Sequence, residues 1–428
     1  MATDTHATLG INTFTDPAYA TEFDRILHTA DDRPDSVSLP ALANPAADHA
    51  DPALAARRAD VEEKHRRVRA LLAASGHDAA LLGRADSIAW FTVGADLGQD
   101  LSDETAHAVL LVNPQCRVVI TDNVQSARIF EEELAGLGFQ LKERSWLNDP
   151  SRLVEELARG KRILSDLARP ANPWKHDLDP LGLLRIPLTT LERRRLRELG
   201  RSLSLAVEAT CRNFDPGETE ADVAGHLAHR LMREGIAPLD IRVAADDRAA
   251  RFRRAPSRSA PIRNHAVVTA TGRRHGLCAS LSRIVSFGTP SDQLKSEHAL
   301  AAMAEATCIF FSRPGQSIRD AFRRTRRIYE KYAKPDEWQL DYQGHAVGYS
   351  PREFMLMPDS PFELQAHMAL SWSPGVGAAR SQSTVILDSR GYEDVTAAVQ
   401  WPMLEVAVKG IAVHRPGILV RDPSHTLR

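Results

Sequence analysis

Residues 267–288 read VVTATGRRHGLCASLSRIVSFG, and this stretch decides the fold of the second half of the chain. Two β-rich runs, AVVTAT at 266–271 and RIVSF at 283–287, flank a segment with turn-forming glycines, which predicts paired strands. Cys278 lies between them in an apolar context. A lone cysteine there is typical of packing, although it could serve as a nucleophile if a base lay beside it.

Arginine is concentrated around this stretch. Residues 242–283 hold ten arginines but only two acidic residues, Asp246 and Asp247. Much of this excess lies in the tract RAARFRRAPSRSAPIRN at 248–264. Such arginines can be solvated or pair with carboxylates. As a site, guanidinium groups bind carboxylate or phosphate in a bidentate manner and keep their charge at any working pH. The tract therefore indicates anion recognition rather than proton transfer.

Helices flank the arginine-rich region and strands close the chain. A capping box formed by Thr189 and Glu192 opens a long amphipathic helix, and Thr219 with Asp222 opens the next, which stops at Gly235. Helices before and hairpin-like strands after the central stretch predict an α+β domain. The remaining predicted elements are a strand at 241–245, helices near 293–312 and 317–333, and strands at 368–372, 383–388 and 391–396.

The tract QGHAVGYSPRE at 343–353 gathers several functional side chains near two glycines that permit close backbone approach. It includes His345, Tyr349, Arg352 and Glu353. One interpretation is a loop that contacts substrate. The other is a turn between a helix and a strand, with Arg352 and Glu353 as surface charges.

The first half has a different pattern. A helical period begins at Ala55 and ends at Gly76, and β-rich runs follow at 78–82, 87–94, 107–112 and 117–121. Strands that alternate with helices predict an α/β domain over residues 53–170. The Pro-containing stretch 171–187 reads as a linker to a second domain at 188–428, and the Ala-, Asp- and Pro-rich residues 1–52 read as a flexible extension.

Composition excludes several classes of protein. The 428 residues carry 54 Lys+Arg against 56 Asp+Glu, which argues against a dedicated nucleic-acid binder. No apolar run is long enough to span a bilayer and no signal peptide is visible. The four cysteines form no CxxC motif, which fits a reducing compartment. We therefore expect a cytoplasmic enzyme without membrane or nucleic-acid partners. The charge balance is also uneven, because residues 1–51 hold nine acids and two arginines.

Taken in order, these tracts resemble the creatinase, aminopeptidase P and prolidase family, whose second domain has the pita-bread fold. The resemblance covers about residues 58–406 and rests on KHRRVRALLAASGHDAALL, SIAWFTVGAD, LRELGRSLSLAVEAT, DPGETEADVAGHLAHRLMREG, the stretch at 267–288, QGHAVGYSPRE, MALSWSPGVGAA and SQSTVIL. It implies an α/β creatinase-type N-terminal domain followed by an α+β pita-bread domain.

Metallopeptidases of this family bind two divalent metals through two Asp, one His and two Glu. By resemblance, these positions fall on Ala270, Ser280, His345, Ser373 and Gln382. Four of the five ligands are missing, and one imidazole with uncharged neighbours cannot hold two hard cations. The resemblance is thus to a metal-free branch, and we expect neither a metal nor another cofactor. Creatinase is the metal-free precedent, but its histidine and glutamate set is not intact here either.

The residues that remain define the predicted site. His345, Glu353 and Tyr349 are the candidate catalytic groups, with Asp341 and His275 in reserve, because His345 is the best titratable group near neutral pH. Tyr342 is a further candidate wall for an organic substrate. The candidate substrate-binding residues are Arg254, Arg283, Arg352, Trp372, Arg380 and Gln343.

Three functions remain open. The first is a metal-independent hydrolase or lyase that acts on a C–N bond of a small carboxylated amide, amine or guanidino substrate. The second is a catalytically inactive binding protein for an acidic ligand or peptide. The third, and least favoured, is a conventional Xaa-Pro metallopeptidase. The resemblance also implies a homodimer in which the N-terminal domain, through Trp90 or Asp96, completes the partner's site.

Overall fold

The computed structural model describes residues 51–97, 105–148, 150–167, 180–360 and 362–422. The predicted extension at 1–52 lies almost wholly outside the described residues, as does most of the predicted linker at 171–187. The domain boundaries therefore stay a prediction. None of the described helices combines the length and the apolarity that a bilayer crossing demands.

The first half is built around a five-stranded sheet with the order β4-β3-β2-β1-β5. Its first helix begins at Pro52, with the Asp51 side chain accepting from the Ala53 amide, and ends at Gly76 in the left-handed conformation. The elements of this half are α1 (Pro52–Ser75), β1 (Ala79–Arg84), α2 (Ala85–Phe91), β2 (Thr105–Val112), β3 (Arg117–Asp122), α3 (Ser126–Arg128, continued as a π-helix over Ile129–Glu133), β4 (Gln140–Arg144), α4 (Pro150–Ala158) and β5 (Ile163–Ser165).

One predicted strand is wrong. The run SIAWFTVG at 87–94 forms most of α2 and the turn after it, and every residue of α2 except Asp86 is buried. A short apolar run that is buried on all sides has no period that distinguishes a strand from a helix.

The second half holds two larger sheets, with the orders β18-β8-β7-β6 and β10-β9-β11-β14-β15, and two hairpins, β12-β13 and β16-β17. Both predicted capping boxes are present, at Thr189 with Glu192 and at Thr219 with Asp222. Its helices are α5 (Pro180–Leu183), α6 (Thr190–Asn213), α7 (Glu220–Arg233), α8 (Asp246–Arg251), α9 (Asp292–Phe311), α10 (Ile318–Lys331) and a 3₁₀ turn (Glu337–Leu340). Its strands are β6 (Ala237–Ala245), β7 (His265–Arg274), β8 (Leu277–Phe287), β9 (Gly344–Val347), β10 (Phe354–Met355), β11 (Ala369–Trp372), β12 (Gly375–Val376), β13 (Ala379–Arg380), β14 (Ser383–Asp388), β15 (Gly391–Asp394), β16 (Met403–Val408), β17 (Ile411–Pro416) and β18 (Ile418–Arg421).

The stretch quoted at the outset is the centre of this half. Strands β7 and β8 pair antiparallel along their whole length, from His265 opposite Ser286 to Arg274 opposite Leu277. One face of the pair, with Ala270 and Leu281, joins the apolar core that α6 and α7 cover. The other face carries hydroxyl groups, and it becomes the floor of the candidate site.

The hairpin turn between β7 and β8 also contacts the first half of the chain. A Cβ placed on Gly94 would come within 2.4 Å of the His275 carbonyl oxygen, and one on Gly276 within 2.9 Å of the Ala89 Cβ. Both glycines have positive φ, at 85° and 75°. Only glycine meets the backbone and the space requirements at both positions, so these two residues set the close approach of the turn to the first half.

Two buried ionic clusters hold the halves together. The Lys64 ammonium of α1 lies 2.7 Å from both Asp60 and Glu192, and the latter belongs to α6. Arg185 donates to Asp86 of α2 at 3.2 Å and to Glu353 at 2.6 Å. Burial acts to raise the pKa of Asp86, but the charges of Arg185 and Arg84 outweigh it and hold that pKa below its usual value.

We expect Arg185→Met to destabilise the protein by about 3–5 kcal/mol, because two buried carboxylates lose the guanidinium they share. Urea unfolding monitored by circular dichroism measures this change. Arg194→Met is the control, since Arg194 forms an exposed 3.9 Å pair with Glu198 on α6, and its removal should cost less than about 0.5 kcal/mol. The double variant Arg185→Met/Glu353→Gln should recover part of the loss. Equal unfolding midpoints for Arg185→Met and Arg194→Met would contradict the bridging role.

Candidate functional site

The candidate site begins with a row of polar side chains across three strands. His345 of β9 lies opposite Ser371 of β11, and Ser371 lies opposite Thr384 of β14. Directly opposed residues of antiparallel strands share one face of the sheet. Gln382 extends the row by donating from its amide nitrogen to the Ser371 hydroxyl at 3.0 Å.

A second row lies on β7 and β8. Thr269 pairs with Ser282 and Thr271 with Ser280. The hydroxyls of Thr271 and Ser280 are 2.8 Å apart, so they form a hydrogen bond. The two rows meet at Thr384, whose hydroxyl accepts from the Ser280 amide and donates to the Ser280 carbonyl, both at 2.9 Å.

Together these side chains form a neutral surface that we name the hydroxyl floor. Its members are Thr269, Thr271, Ser280, Ser282, Ser371, Gln382 and Thr384. Sequence reasoning did not identify the floor as a unit, although the alternation of hydroxyls in TAT at 269–271 and SLS at 280–282 is a period-two signal for one face of a strand.

His345 is the titratable group beside the floor. Its side chain is buried, and Nε2 has no hydrogen-bond partner among the described residues. Burial, together with the charges of Arg254 and Arg352, lowers the pKa of His345 to about 3. The imidazole is therefore neutral at pH 7, with an unused polar atom.

Above the floor, Asp341 joins two of the predicted arginines. Its carboxylate accepts from Nε of Arg254 at 2.6 Å and forms a short contact with Nη2 of Arg380. Arg380 also donates to the Ser373 carbonyl at 3.0 Å and to the Arg253 carbonyl at 2.9 Å. Burial acts to raise the pKa of Asp341, but the two guanidinium groups outweigh it and keep the carboxyl ionised.

These arginines line an open cavity between the 249–255 segment, β6, β7 and the β12–β13 hairpin. Four guanidinium groups and one carboxylate, Asp240, belong to the lining, which reaches the hydroxyl floor at Thr269. Arg253 also pairs with Glu337, and Arg242 with Asp240. We name this cavity the arginine pocket. Its charged lining residues are Asp240, Arg242, Arg253, Arg254 and Arg380.

Three of the predicted substrate-binding residues lie elsewhere. Arg283 projects from the helix-covered face of β8, is 1% exposed and pairs with Glu208 at 3.1 Å. Trp372 adjoins Ser371 on β11 and so faces the opposite side of the sheet, where it packs in the core and donates to Ser312. Gln343 is buried and accepts from the Tyr329 hydroxyl at 2.9 Å. None of the three is left to contact a substrate in this arrangement.

Two of the predicted catalytic residues lie where the halves of the chain meet. Glu353 accepts from Arg185 and from the amides of Tyr349 and Ser350. The Tyr349 hydroxyl lies 3.4 Å from the Lys64 ammonium, and burial raises the pKa of Tyr349 well above its ordinary value. Arg352 is exposed and acts on His345 only through its charge.

Of the two reserve catalytic candidates, Asp341 lies in the site and His275 does not. His275 lies in the β7–β8 turn, where burial lowers its pKa to about 4. Cys278 is fully buried, and burial raises the pKa of its thiol, which describes a packing residue. Trp90 is enclosed in the core of its own chain, whereas Asp96 is exposed.

The residues at the family's metal positions do not fit a pair of metal ions. Assigning the first Asp position to Ala270 is wrong in geometry, because Ala270 faces the apolar core and the neighbours of Ser280 on the site face are Thr269 and Thr271. All of these side chains are uncharged. Within the described parts of the chain, no three His, Cys, Asp or Glu side chains lie together in a group that could hold a metal ion.

Comparison with known proteins adds a family match for the second half. Residues 194–400 match the family described as Metallopeptidase family M24. An uncharacterized peptidase from Staphylococcus haemolyticus is 23% identical over 210 residues, which are 47% of this chain and 60% of that protein. An Xaa-Pro dipeptidase from Lactobacillus delbrueckii subsp. lactis is 24% identical over 238 residues, 53% of this chain and 64% of that protein.

Solved structures agree with the predicted fold. An Xaa-Pro dipeptidase from Bacillus anthracis superposes with a TM-score of 0.68 at 20% identity, covering 84% of this chain and 100% of that one. The prolidase from Pyrococcus horikoshii OT3 gives 0.67 at 15% identity, covering 79% and 99%. The α/β N-terminal domain followed by an α+β pita-bread domain is thereby confirmed.

We expect His345→Gln to reduce the loss of stability in mild acid. The ordinary pKa of about 6.5 applies in the unfolded chain. Between pH 6.5 and 3, the unfolded state therefore binds a proton that the folded state does not, and stability falls as the pH falls. Urea unfolding at pH 7 and pH 5 should show that the wild type loses about 2 kcal/mol more than the variant. The control is His226→Gln, whose ring is 59% exposed. If wild type and His345→Gln lose equal stability between pH 7 and pH 5, His345 is not a buried, neutral imidazole in the folded state.

Proposed function

We propose that this chain, whose residues 194–400 match metallopeptidase family M24, uses the pita-bread fold without metal to act on a small carboxylated substrate. The favoured reaction is hydrolysis or lysis of a C–N bond in an amide, amine or guanidino compound. The peptidase relatives support a hydrolase fold. The departure from them rests on the hydroxyl floor, which includes Ser280 and Gln382, two of the positions that the resemblance assigns to metal ligands.

One observation carries the proposal: the arginine pocket is lined by four guanidinium groups and a single carboxylate, Asp240, and it reaches the neutral hydroxyl floor at Thr269. A dication would meet repulsion from the arginines and find no carboxylate on the floor to bind it. A carboxylate would find donors whose charge persists at every working pH. The fork geometry of arginine matches two carboxylate oxygens.

In the hydrolytic form of the proposal, His345 is the acid–base group. Nε2 takes a proton from water as its oxygen bonds to the carbonyl or amidino carbon, and returns that proton to the leaving nitrogen as the C–N bond breaks. One water is consumed, and an amine and a hydrolysed carbon product are released. A pKa near 3 makes the resting imidazole a weak base, but an anionic substrate nearby would raise that pKa toward neutrality.

A second candidate is a binding protein without catalysis. The placement of Glu353 and Tyr349 favours it, because both side chains are engaged with Arg185 and Lys64 and leave His345 alone at the floor. Both candidates share the arginine pocket and differ only in turnover. We also retain the homodimer as a proposal, which sedimentation of the full chain at micromolar concentration would test.

We expect protein treated with a chelator to bind small carboxylates as well as untreated protein does. Arg254→Gln should weaken that binding at least tenfold, because a charge-assisted pair is lost. Arg144→Gln is the matched control: Arg144 is 28% exposed and paired to one carboxylate, as Arg254 is at 30%, but it lies on β4 in the first half. Isothermal titration with acetate, creatine and N-acetylglycine measures the affinities, and elemental analysis measures the metal content. Stoichiometric manganese, cobalt or zinc, with Xaa-Pro cleavage that the chelator abolishes, would establish the metallopeptidase instead.

Turnover separates the two candidates. A chelator-treated sample should release amine or urea from at least one carboxylated amide or guanidino compound that it binds, and His345→Gln should reduce kcat by about 10²–10⁴-fold while the affinity changes little. Thermal stabilisation by the same compounds without product would favour the binding protein. Equal kcat for wild type and His345→Gln would remove His345 from the reaction.

A further inference from the structure

We infer that the arginine pocket selects carboxylates that carry a flat apolar group, and that Phe252 determines this selectivity. The inference rests on the proposed function and adds a substrate class to it. The lining of the pocket has two chemically different parts. The charged part consists of Asp240, Arg242, Arg253, Arg254 and Arg380. The apolar part consists of Ala244, Ala249, Phe252, Ala255, Val267, Ala378 and Ala379, with Gly377 beside them.

Phe252 is the one large apolar side chain in this lining, and it is 43% exposed. Ala249 and Ala255, on either side of Phe252 in the same segment, are both buried. The ring of Phe252 is exposed although its neighbours are not. The other apolar side chains that line the cavity with the ring are small, namely alanines and Val267. An apolar group placed there would remove both the ring and the alanine methyl groups from water, which is favourable in proportion to the area buried.

Guanidinium groups surround the same ring. The Cζ atoms of Arg248 and Arg251 lie 5.6 and 5.3 Å from its centroid, within the range of a cation–π contact. Arg254, two residues along the chain, belongs to the charged part of the lining. One short segment therefore presents an aromatic face and a carboxylate-binding group side by side. A ligand with a ring attached to its carboxylate matches both.

The segment that carries Phe252 is anchored at both ends. Glu220 is fully buried and accepts from the amides of Ala245 and Arg258 and from the Arg248 side chain. Asp246 accepts from the amides of Arg263, Asn264 and His265. Fixed ends limit the freedom that Phe252 would lose when a ligand binds, and low ordering cost is a source of affinity.

The test compares three probes: acetate, phenylacetate and 2-phenylethanol, which keeps the ring but lacks the carboxylate. By isothermal titration, phenylacetate should bind the full-length protein at least tenfold more tightly than acetate and than 2-phenylethanol. Phe252→Ala should remove the advantage of phenylacetate and leave the affinity for acetate unchanged. Tyr332→Ala is the control, because Tyr332 is 44% exposed and lies outside the pocket lining, and it should preserve all three affinities.

The outcomes separate this inference from the proposed function. If acetate and phenylacetate bind equally and Arg254→Gln weakens both, the carboxylate site stands and the selectivity is overturned. If Arg254→Gln leaves both affinities unchanged, the carboxylate site itself fails. If Phe252→Ala preserves the advantage of phenylacetate while keeping the wild-type circular dichroism spectrum, Phe252 is not the determinant.

Discussion

A charge withdrawn from water must be neutralised where it lies, and much of this molecule follows from how the chain meets that demand. Four buried carboxylates are each paired with a buried cation. Glu192 is paired with Lys64, Glu353 with Arg185, Glu208 with Arg283, and Glu305 with Arg415. The first two pairs hold the halves together, and the last two fix strands of the second half against its helices. Three buried arginines therefore stabilise the packing of this chain by pairing with buried carboxylates.

The same demand explains the candidate site. The family resemblance implies a cluster of carboxylates that divalent metals would neutralise. Here hydroxyls and an amide occupy the floor, and they satisfy one another through short hydrogen bonds. The nearby carboxylates are each paired with arginine: Asp341 with Arg254 and Arg380, Asp240 with Arg242, and Glu337 with Arg253. The lining of the arginine pocket holds four guanidinium groups and one carboxylate, and this excess of positive charge supports the proposal of an anionic ligand.

Much of the fold could be predicted because its signals are local. Each capping box, the one at Thr189 and the one at Thr219, is specified by four consecutive residues, and both are present. The buried run at 87–94 has no capping motif, and its β-rich composition predicts a strand. It is largely helix α2 instead. Within the site, the sequence offers Arg254 and Arg380 as candidate substrate-binding residues, and both line the arginine pocket. The faces of Arg283 and Trp372 could not be predicted, because a side chain's direction depends on strand register, and a shift of one residue reverses it. The partners of Glu353 and Tyr349, which are Arg185 and Lys64, lie 168 and 285 residues away in the sequence.

The hydroxyl floor bears on the evolutionary history of the chain. A single Ser280→Asp change would place a carboxylate in a buried, hydrogen-bonded network with no cation assigned to it, at a cost of several kcal/mol. One such residue would not hold a metal ion, so the first step toward a metal centre would bring a loss of stability and no gain in function. Several substitutions would have to arise together. The hydroxyl floor therefore sets a stability barrier to building a metal site here by single substitutions.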